Sequence, residues 1–145
     1  MSDKPIALAS DHAGFDLKEE LKSALSKAGL AVLDLGAESH DSVDYPDFAD
    51  AMAGAIGEGK ADRGILICGT GIGIGIAANR HSALRAALCH DSTTARLCRQ
   101  HNNANVLVLG ARVIGAEVAK DCLTAFLDTP YEGGRHERRV AKLSR

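Results

Sequence analysis

The chain has 145 residues, a formal net charge of −2 and four cysteines that never come within C-x-x-C spacing. This length favours one domain, residues 1–145, large enough to bury a core without a disulfide or a structural metal. The weak acidity argues against a nucleic-acid-binding protein, and no apolar run is long enough to span a membrane. Since no secretory signal is found, the cysteines are expected to be reduced thiols in a cytoplasmic protein.

Short apolar runs alternate with amphipathic helical patterns along the chain. The predicted strands occupy residues 5–10, 30–35, 64–68, 84–89 and 106–109. The predicted helices occupy about 17–28, 46–56, a stretch ending near 79, 92–101, a segment around 119–126, and a last helix over about 134–143. This alternation predicts an α/β protein with a three-layer, Rossmann-like α/β/α fold and a five-stranded parallel sheet. The strand order cannot be read from the sequence.

Polar residues follow several of the predicted strands. Asp11 and His12 follow the first strand, Cys68 ends the third, and Arg112 follows the fifth. Ligands of parallel sheets collect at the carboxyl ends of the strands, so these residues are candidates for a binding site. For Asp11 a helix N-cap is the alternative, and His12 could be an ordinary loop residue.

The segment ILICGTGIGIGIAANR, residues 65–80, places four glycines at alternate positions after the third strand. It matches a relaxed dinucleotide-binding pattern, but that pattern normally follows the first strand, and its acidic partner would have to be Asp91. Alternatively, the loop exposes backbone N–H groups that hold an anion or a developing oxyanion. Cys68, at the loop entrance, could then act as a base, although a small buried core residue is the competing interpretation.

Two more groups of candidates lie towards the C-terminus. His101 and Asn102 end the fourth predicted helix, where a histidine could simply interact with the helix dipole. Arg135 and Arg139 are four residues apart, so on one helix face they could clamp a phosphate. A solvated basic tail is the alternative. Histidines elsewhere in the chain have no partner at metal-ligand spacing, which argues against a zinc site.

Five segments, in this order, resemble the type B ribose-5-phosphate isomerases, a group that includes allose-6-phosphate isomerase and the galactose-6-phosphate isomerase subunits. They are SDHAGFDLK, DYPDFA, ILICGTGIGIGIAANR, ARLCRQHNNANVLVLGARV and YEGGRHERRV. The resemblance covers essentially the whole chain. It implies an aldose–ketose isomerase that interconverts ribose 5-phosphate and ribulose 5-phosphate through an enediolate, with no metal or organic cofactor.

The resemblance also implies roles for individual residues. Cys68 is the base, Thr70 hydrogen-bonds near it, and His101 assists ring opening. The implied substrate-binding residues are Asp11, His12, Tyr45, Gly69, Gly71, Ile72, Gly73, Asn102, Arg112, Arg135 and Arg139. Another branch uses a glutamate six residues after the cysteine; Ile74 stands there, so this chain falls in the cysteine branch. Gly75, where many relatives carry serine, has no explanation from the sequence.

The resemblance further implies a homodimer or homotetramer in which neighbouring subunits share each active site, with the last helix at a subunit interface. Two alternatives stay open. One is an isomerase of allose 6-phosphate, galactose 6-phosphate or a tetrose phosphate. The other is a non-catalytic nucleotide-binding module.

Overall fold

A computed structural model describes residues 3–144 and shows five strands that alternate with helices. The strands are β1 (Ile6–Ser10), β2 (Val32–Asp34), β3 (Gly64–Cys68), β4 (Ala86–Leu88) and β5 (Val106–Gly110). The helices are α1 (Phe15–Lys27), α2 (Tyr45–Gly57), α3 (Ile72–Ala78), α4 (Ser92–Asn102), α5 (Ala116–Asp128) and α6 (Glu137–Leu143). A short 3-10 helix, Gly134–His136, precedes α6.

The five strands form one sheet in the order β2-β1-β3-β5-β4, and all neighbouring strands are parallel. The predicted α/β fold with a five-stranded parallel sheet is therefore confirmed. Within the sheet, β2 lies on one side of β1, and β3, the next strand along the chain, lies on the other side of β1. This reversal opens a crevice at the carboxyl ends of β1 and β3, where ligands of such sheets bind.

The core lies on both faces of the sheet because successive side chains of a strand point to opposite faces. The three central strands, β1, β3 and β5, are buried along their whole length. One face packs against α1, α4 and α5, and the other packs against α2 and α3. Within residues 3–144, no helix combines the length and apolar character that a membrane crossing requires.

The tail is helical over the predicted residues but is not one continuous α-helix. Gly133 and Gly134 have φ values of +67° and +58°, a left-handed conformation that favours glycine. The α-helix starts only at Glu137, so Arg135 lies in the preceding 3-10 turn. The sequence predicted that Arg135 and Arg139 share one face of a single α-helix, and in the structure they do not. No residue of α6 is buried.

Candidate active site

The ends of β1, β3 and β5 bring several predicted site residues to one edge of the sheet. Ser10 pairs with Ile67, and Cys68 pairs with Gly110, so the three strands end side by side. Cys68 is 5% exposed and faces the layer formed by α2 and α3. The loops that follow these strands carry Asp11, His12, the glycine-rich segment and Arg112. We call this group the carboxyl-edge cluster.

Asp11 and His12 are held in place by backbone groups. The buried carboxylate of Asp11 accepts a hydrogen bond from the N–H of Gly14 at 3.1 Å, which closes the turn just before α1. His12 Nδ1 accepts the N–H of Val43 at 3.2 Å. Because that nitrogen acts as the acceptor, the neutral ring carries its proton on Nε2 and can donate it to a ligand.

The glycine-rich loop turns sharply from β3 into α3. Gly71 has a φ of +80°, and a Cβ atom there would lie 2.5 Å from Leu88 Cδ1 and 3.1 Å from the Leu109 carbonyl carbon. A larger residue would meet both conformational strain and a clash. The Thr70 hydroxyl accepts the N–H of Ile72 at 3.2 Å, which fixes the start of the helix.

Arg112 and Tyr45 border this loop on two sides. The Arg112 N–H donates to the carbonyl oxygen of Gly69 at 2.8 Å, and the Arg112 side chain lies over Gly69. A Cβ at Gly73 would lie 2.6 Å from Cζ of Tyr45, so the tyrosine ring packs directly on the loop backbone. Tyr45, which is 40% exposed, thus lies beside the glycine-rich loop that follows Cys68.

The remaining candidates lie at the opposite edge of the sheet. Helix α4 starts after the carboxyl end of β4 and ends just before the first residue of β5, so His101 and Asn102 are at the amino edge. The five residues of β5 place about 13–17 Å between the two edges. A cleft of about 240 Å³ is lined by His101, Asn102 and Arg139. We call these three residues the amino-edge cluster.

His136 is a residue of this region that the sequence analysis missed. Its ring stacks on that of His101, with 4.6 Å between the centroids and an interplanar angle of 18°. His136 is buried, and its Nε2 lies 3.5 Å from Oε1 of Glu132, four residues earlier. The Glu-x-x-x-His spacing was the available signal, but the contact with α4 depends on the tertiary fold. Arg135 is exposed and does not line the cleft.

The acidic residue required by the dinucleotide pattern has another role. Asp91 caps α4, since its carboxylate accepts the N–H of Thr94 at 2.7 Å. Hydrogen bonds from the backbone and hydroxyl of Thr94 lower the pKa of Asp91. The glycine-rich loop also follows β3 rather than β1. Both observations argue against the nucleotide-binding alternative.

A thiol next to a glycine-rich loop, at the switch point of a parallel sheet, can support proton transfer beside a carbonyl group. Comparison with known proteins agrees with this class. The chain belongs to the Ribose/Galactose Isomerase family, whose model matches residues 6–143.

Curated relatives and solved structures match nearly the whole chain. Ribose-5-phosphate isomerase B of Escherichia coli is 48% identical over 97% of this chain and 95% of its own length. D-erythrulose-4-phosphate isomerase of Pectobacterium atrosepticum is 46% identical, with coverages of 95% and 91%.

Among solved structures, a ribose 5-phosphate isomerase of Thermotoga maritima has a TM-score of 0.95 and 54% identity, with 97% of each chain covered. Ribose-5-phosphate isomerase B of Mycoplasma genitalium, solved with bound ribulose-5-phosphate, has a TM-score of 0.93 and 41% identity, with coverages of 99% and 95%.

Proposed function

We propose that this protein is an aldose–ketose isomerase that interconverts ribose 5-phosphate and ribulose 5-phosphate, with Cys68 as the base. The observation that carries the proposal is the position of the Cys68 thiol, at the end of β3 and the entrance of the glycine-rich loop. The ribulose-5-phosphate bound to the Mycoplasma genitalium relative supports a phosphosugar substrate.

In the proposed reaction, the Cys68 thiolate takes the proton from C2 of the open-chain aldose. The electron pair left behind forms the C1–C2 double bond of an enediolate, and the carbonyl oxygen at C1 becomes negatively charged. The backbone N–H groups of residues 69–71 and 73 stabilise this charge, whereas the N–H of Ile72 is already donated to the Thr70 hydroxyl. Transfer of the Cys68 proton to C1 and of the O2 proton to O1 then completes the ketose. Proton transfer of this kind contributes about 10²–10⁴-fold, and oxyanion donors about 10²–10³-fold.

The close contacts of the loop suit this role. Gly71 packs against β5, and Gly73 packs against the Tyr45 ring. Donors that are already fixed do not have to reorganise when charge develops on the substrate. Within the pocket, the Nε2–H of His12 is a donor for a sugar hydroxyl, and Arg112 is a cation for the phosphate.

Ring opening is assigned to His101, which requires a second copy of the chain. A general acid or base must come within about 3 Å of its proton, whereas His101 and Cys68 lie at opposite edges of one sheet. We therefore infer a homodimer, or a homotetramer built from such dimers, in which the amino-edge cluster of one copy completes the carboxyl-edge cluster of the other.

Exposed apolar side chains support this assembly. Ile72 and Ile76 on α3 are 54% and 58% exposed, and Leu88 at the end of β4 is 36% exposed. Leu143 in α6 is 60% exposed. Neighbouring apolar side chains of this kind mark protein–protein interfaces. The surface around the glycine-rich loop and helix α6 are accordingly the proposed subunit contacts.

We place the enzyme in the cytoplasm because Cys68, Cys89, Cys98 and Cys122 are all free thiols. Unpaired cysteines are typical of a reducing compartment.

An isomerase assay with C4, C5 and C6 aldose phosphates tests the proposal. We expect ribose 5-phosphate to give the highest kcat/KM, and Cys68→Ala to lower kcat by about 10²–10⁴-fold while substrate still binds. Cys122→Ala, on the buried face of α5, is the matched control and should keep its kcat. Near-normal turnover by Cys68→Ala would rule out the thiolate as base.

Two further measurements separate the alternatives. A much higher kcat/KM for a tetrose phosphate would favour the activity named for the Pectobacterium relative. Ribose 5-phosphate should raise the melting temperature and NAD should not; the reverse result would favour a nucleotide-binding module. Arg139→Ala should mainly raise KM, and an unchanged KM would refute a role for this arginine in phosphate binding.

A further inference from the structure

Three metal-ligating side chains meet where the tail packs on the end of α4. One ligand atom each from His101, Glu132 and His136 lies within 4.8 Å of the other two. We propose that these residues form a binding site for a divalent transition metal of the zinc class, and that the bound metal inhibits the isomerase by occupying His101. The inhibition rests on the ring-opening role proposed for His101, whereas the metal site itself does not.

The residues have the chemistry of a zinc site with an open position. Two imidazoles and one carboxylate form a ligand set that zinc sites use when a fourth position is left for water or substrate. Imidazole nitrogen suits Zn²⁺, Co²⁺ and Ni²⁺, whereas Mg²⁺ prefers oxygen ligands and keeps several waters. The proposed site should therefore select the first group of ions over Mg²⁺.

Two hydrogen bonds to backbone carbonyl oxygens hold α4 against the segment that follows α5. The Arg99 side chain donates through Nε to the carbonyl oxygen of Thr129 at 3.2 Å. The N–H of Glu132 donates to the carbonyl oxygen of Gln100 at 3.2 Å, one residue before His101. These bonds fix the backbones of Glu132 and His101 next to each other before any metal arrives, which lowers the cost of organising the site.

The buried ring nitrogen of His136 is a second, independent observation that supports a bound metal. Its side chain is only 7% exposed. Among the described residues, its Nε2 has no hydrogen-bond partner, although the Glu132 carboxylate lies 3.5 Å away. A buried polar atom without a partner is costly, so such an atom calls for an explanation. A metal between His136, Glu132 and His101 would supply the missing partner.

A metal ion can reach this site from solvent, and the three side chains can then move to coordinate it. The Glu132 side chain is 46% exposed and offers a route from solvent. Ligand atoms about 2.0–2.1 Å from one tetrahedral zinc are about 3.3 Å apart, so metal binding requires the His101 and His136 rings to rotate out of their stacked arrangement and direct one nitrogen each at the ion. Arg139 lines the adjacent cleft, and its charge opposes a cation. The Glu132 carboxylate offsets that charge.

Zinc binding to the untagged, metal-free protein tests the site directly, by equilibrium dialysis with metal analysis. We expect one Zn²⁺ per chain and no comparable binding of Mg²⁺. Glu132→Gln should weaken zinc binding by at least about tenfold, since even loss of an indirect partner of a metal ligand costs 10–100-fold. Because Glu132 is half exposed, this variant is expected to fold; His136→Gln is the second, more buried test. His90→Gln, in the loop after β4, is the matched control.

Binding that survives Glu132→Gln and disappears in Cys68→Ser would assign the zinc to the thiol and overturn the proposal, as would no stoichiometric binding. In the activity assay, zinc should inhibit the wild type at the concentrations at which it binds. Glu132→Gln should keep its basal turnover and need at least about tenfold more zinc for inhibition. Binding without inhibition would overturn the inhibitory role. An inactive metal-free wild type would instead contradict the proposed function and leave the binding result intact.

Discussion

Co-expression of two inactive variants tests whether each active site is shared between subunits. Cys68 and His101 lie at opposite edges of one sheet, about 13–17 Å apart along β5. Cys68→Ala and His101→Ala should each lose about 10²-fold or more of turnover. When both chains are made in one cell, a mixed dimer should contain one site with both defects and one site with neither.

The expected recovery follows from two-fold symmetry. If chains pair at random, half of the dimers are mixed, and half of their sites are intact, so about one quarter of wild-type activity per chain should return. A chain that carries both substitutions, co-expressed with wild type, should likewise give about one quarter, because every site in a mixed dimer then has one defect.

Sites contained within single chains would behave differently. The two inactive variants would then show no recovery, and wild type with the double variant would keep about half of its activity. Those two values together would refute the shared site. Cys68→Ala co-expressed with Cys68→Ser is the control and should stay inactive, because no pairing restores the thiol.

Two predictions concern stability. Gly75→Ala should raise the free energy of unfolding by about 0.5–1 kcal/mol, or the melting temperature by about 1–4 °C, because Gly75 is helical and a Cβ there meets only Val108 at 3.7 Å. Asp34→Asn should lower the free energy of unfolding by about 1–3 kcal/mol at neutral pH. The reason is that the Lys18 ammonium, which is 1% exposed and lies 2.8 Å from the Asp34 carboxylate, loses that charged partner. Burial alone would raise the pKa of Asp34, but hydrogen bonds from Lys18, Lys22 and Gly36 N–H hold it at about 2. The wild type should therefore lose stability as the pH falls from about 4 to 2, because over this range the unfolded chain binds a proton at Asp34 that the native state still excludes.

Chemical denaturation at fixed protein concentration measures both effects, and each has a matched control. Gly71→Ala, at a left-handed position in the same loop, should destabilise where Gly75→Ala stabilises; equal effects would contradict the steric argument. Glu58→Gln removes an exposed carboxylate paired with Lys60 and should leave stability unchanged. An Asp34→Asn protein with the acid sensitivity of wild type would show that this carboxylate is not its source.

The sequence predicts the central strands closely and the edge strands poorly. β1, β3 and β5 are buried on both faces, so each appears as a continuous apolar run with clear limits. β2 and β4 have only three residues each, fewer than predicted. Leu30 and Leu84 made these runs look longer. In the structure both pack into the core outside the strands, so their apolar character reflects burial and not strand pairing.

The sequence also names candidate site residues without showing how they are grouped. A helix that follows a parallel strand returns to the amino edge of the sheet, so the end of α4 cannot lie beside the end of β3 in the same chain. Motif matching treats Cys68 and His101 as members of one site, whereas the path of the chain separates them. The stacking of His136 on His101 could not be predicted from the sequence, because it depends on how the C-terminal segment packs against α4.

Three of the four alternating glycines now divide by physical cause, and the division bears on function. Gly71 is required by its positive φ and by its contact with β5, and Gly73 is required if the Tyr45 ring is to lie on the loop. Gly75 meets neither condition, so a small side chain at this position is compatible with the fold. A dinucleotide pattern counts all of these glycines alike. Their contacts instead describe a loop pressed between β5 and Tyr45, with its amides fixed beside a thiol, as proton transfer at a sugar carbonyl requires.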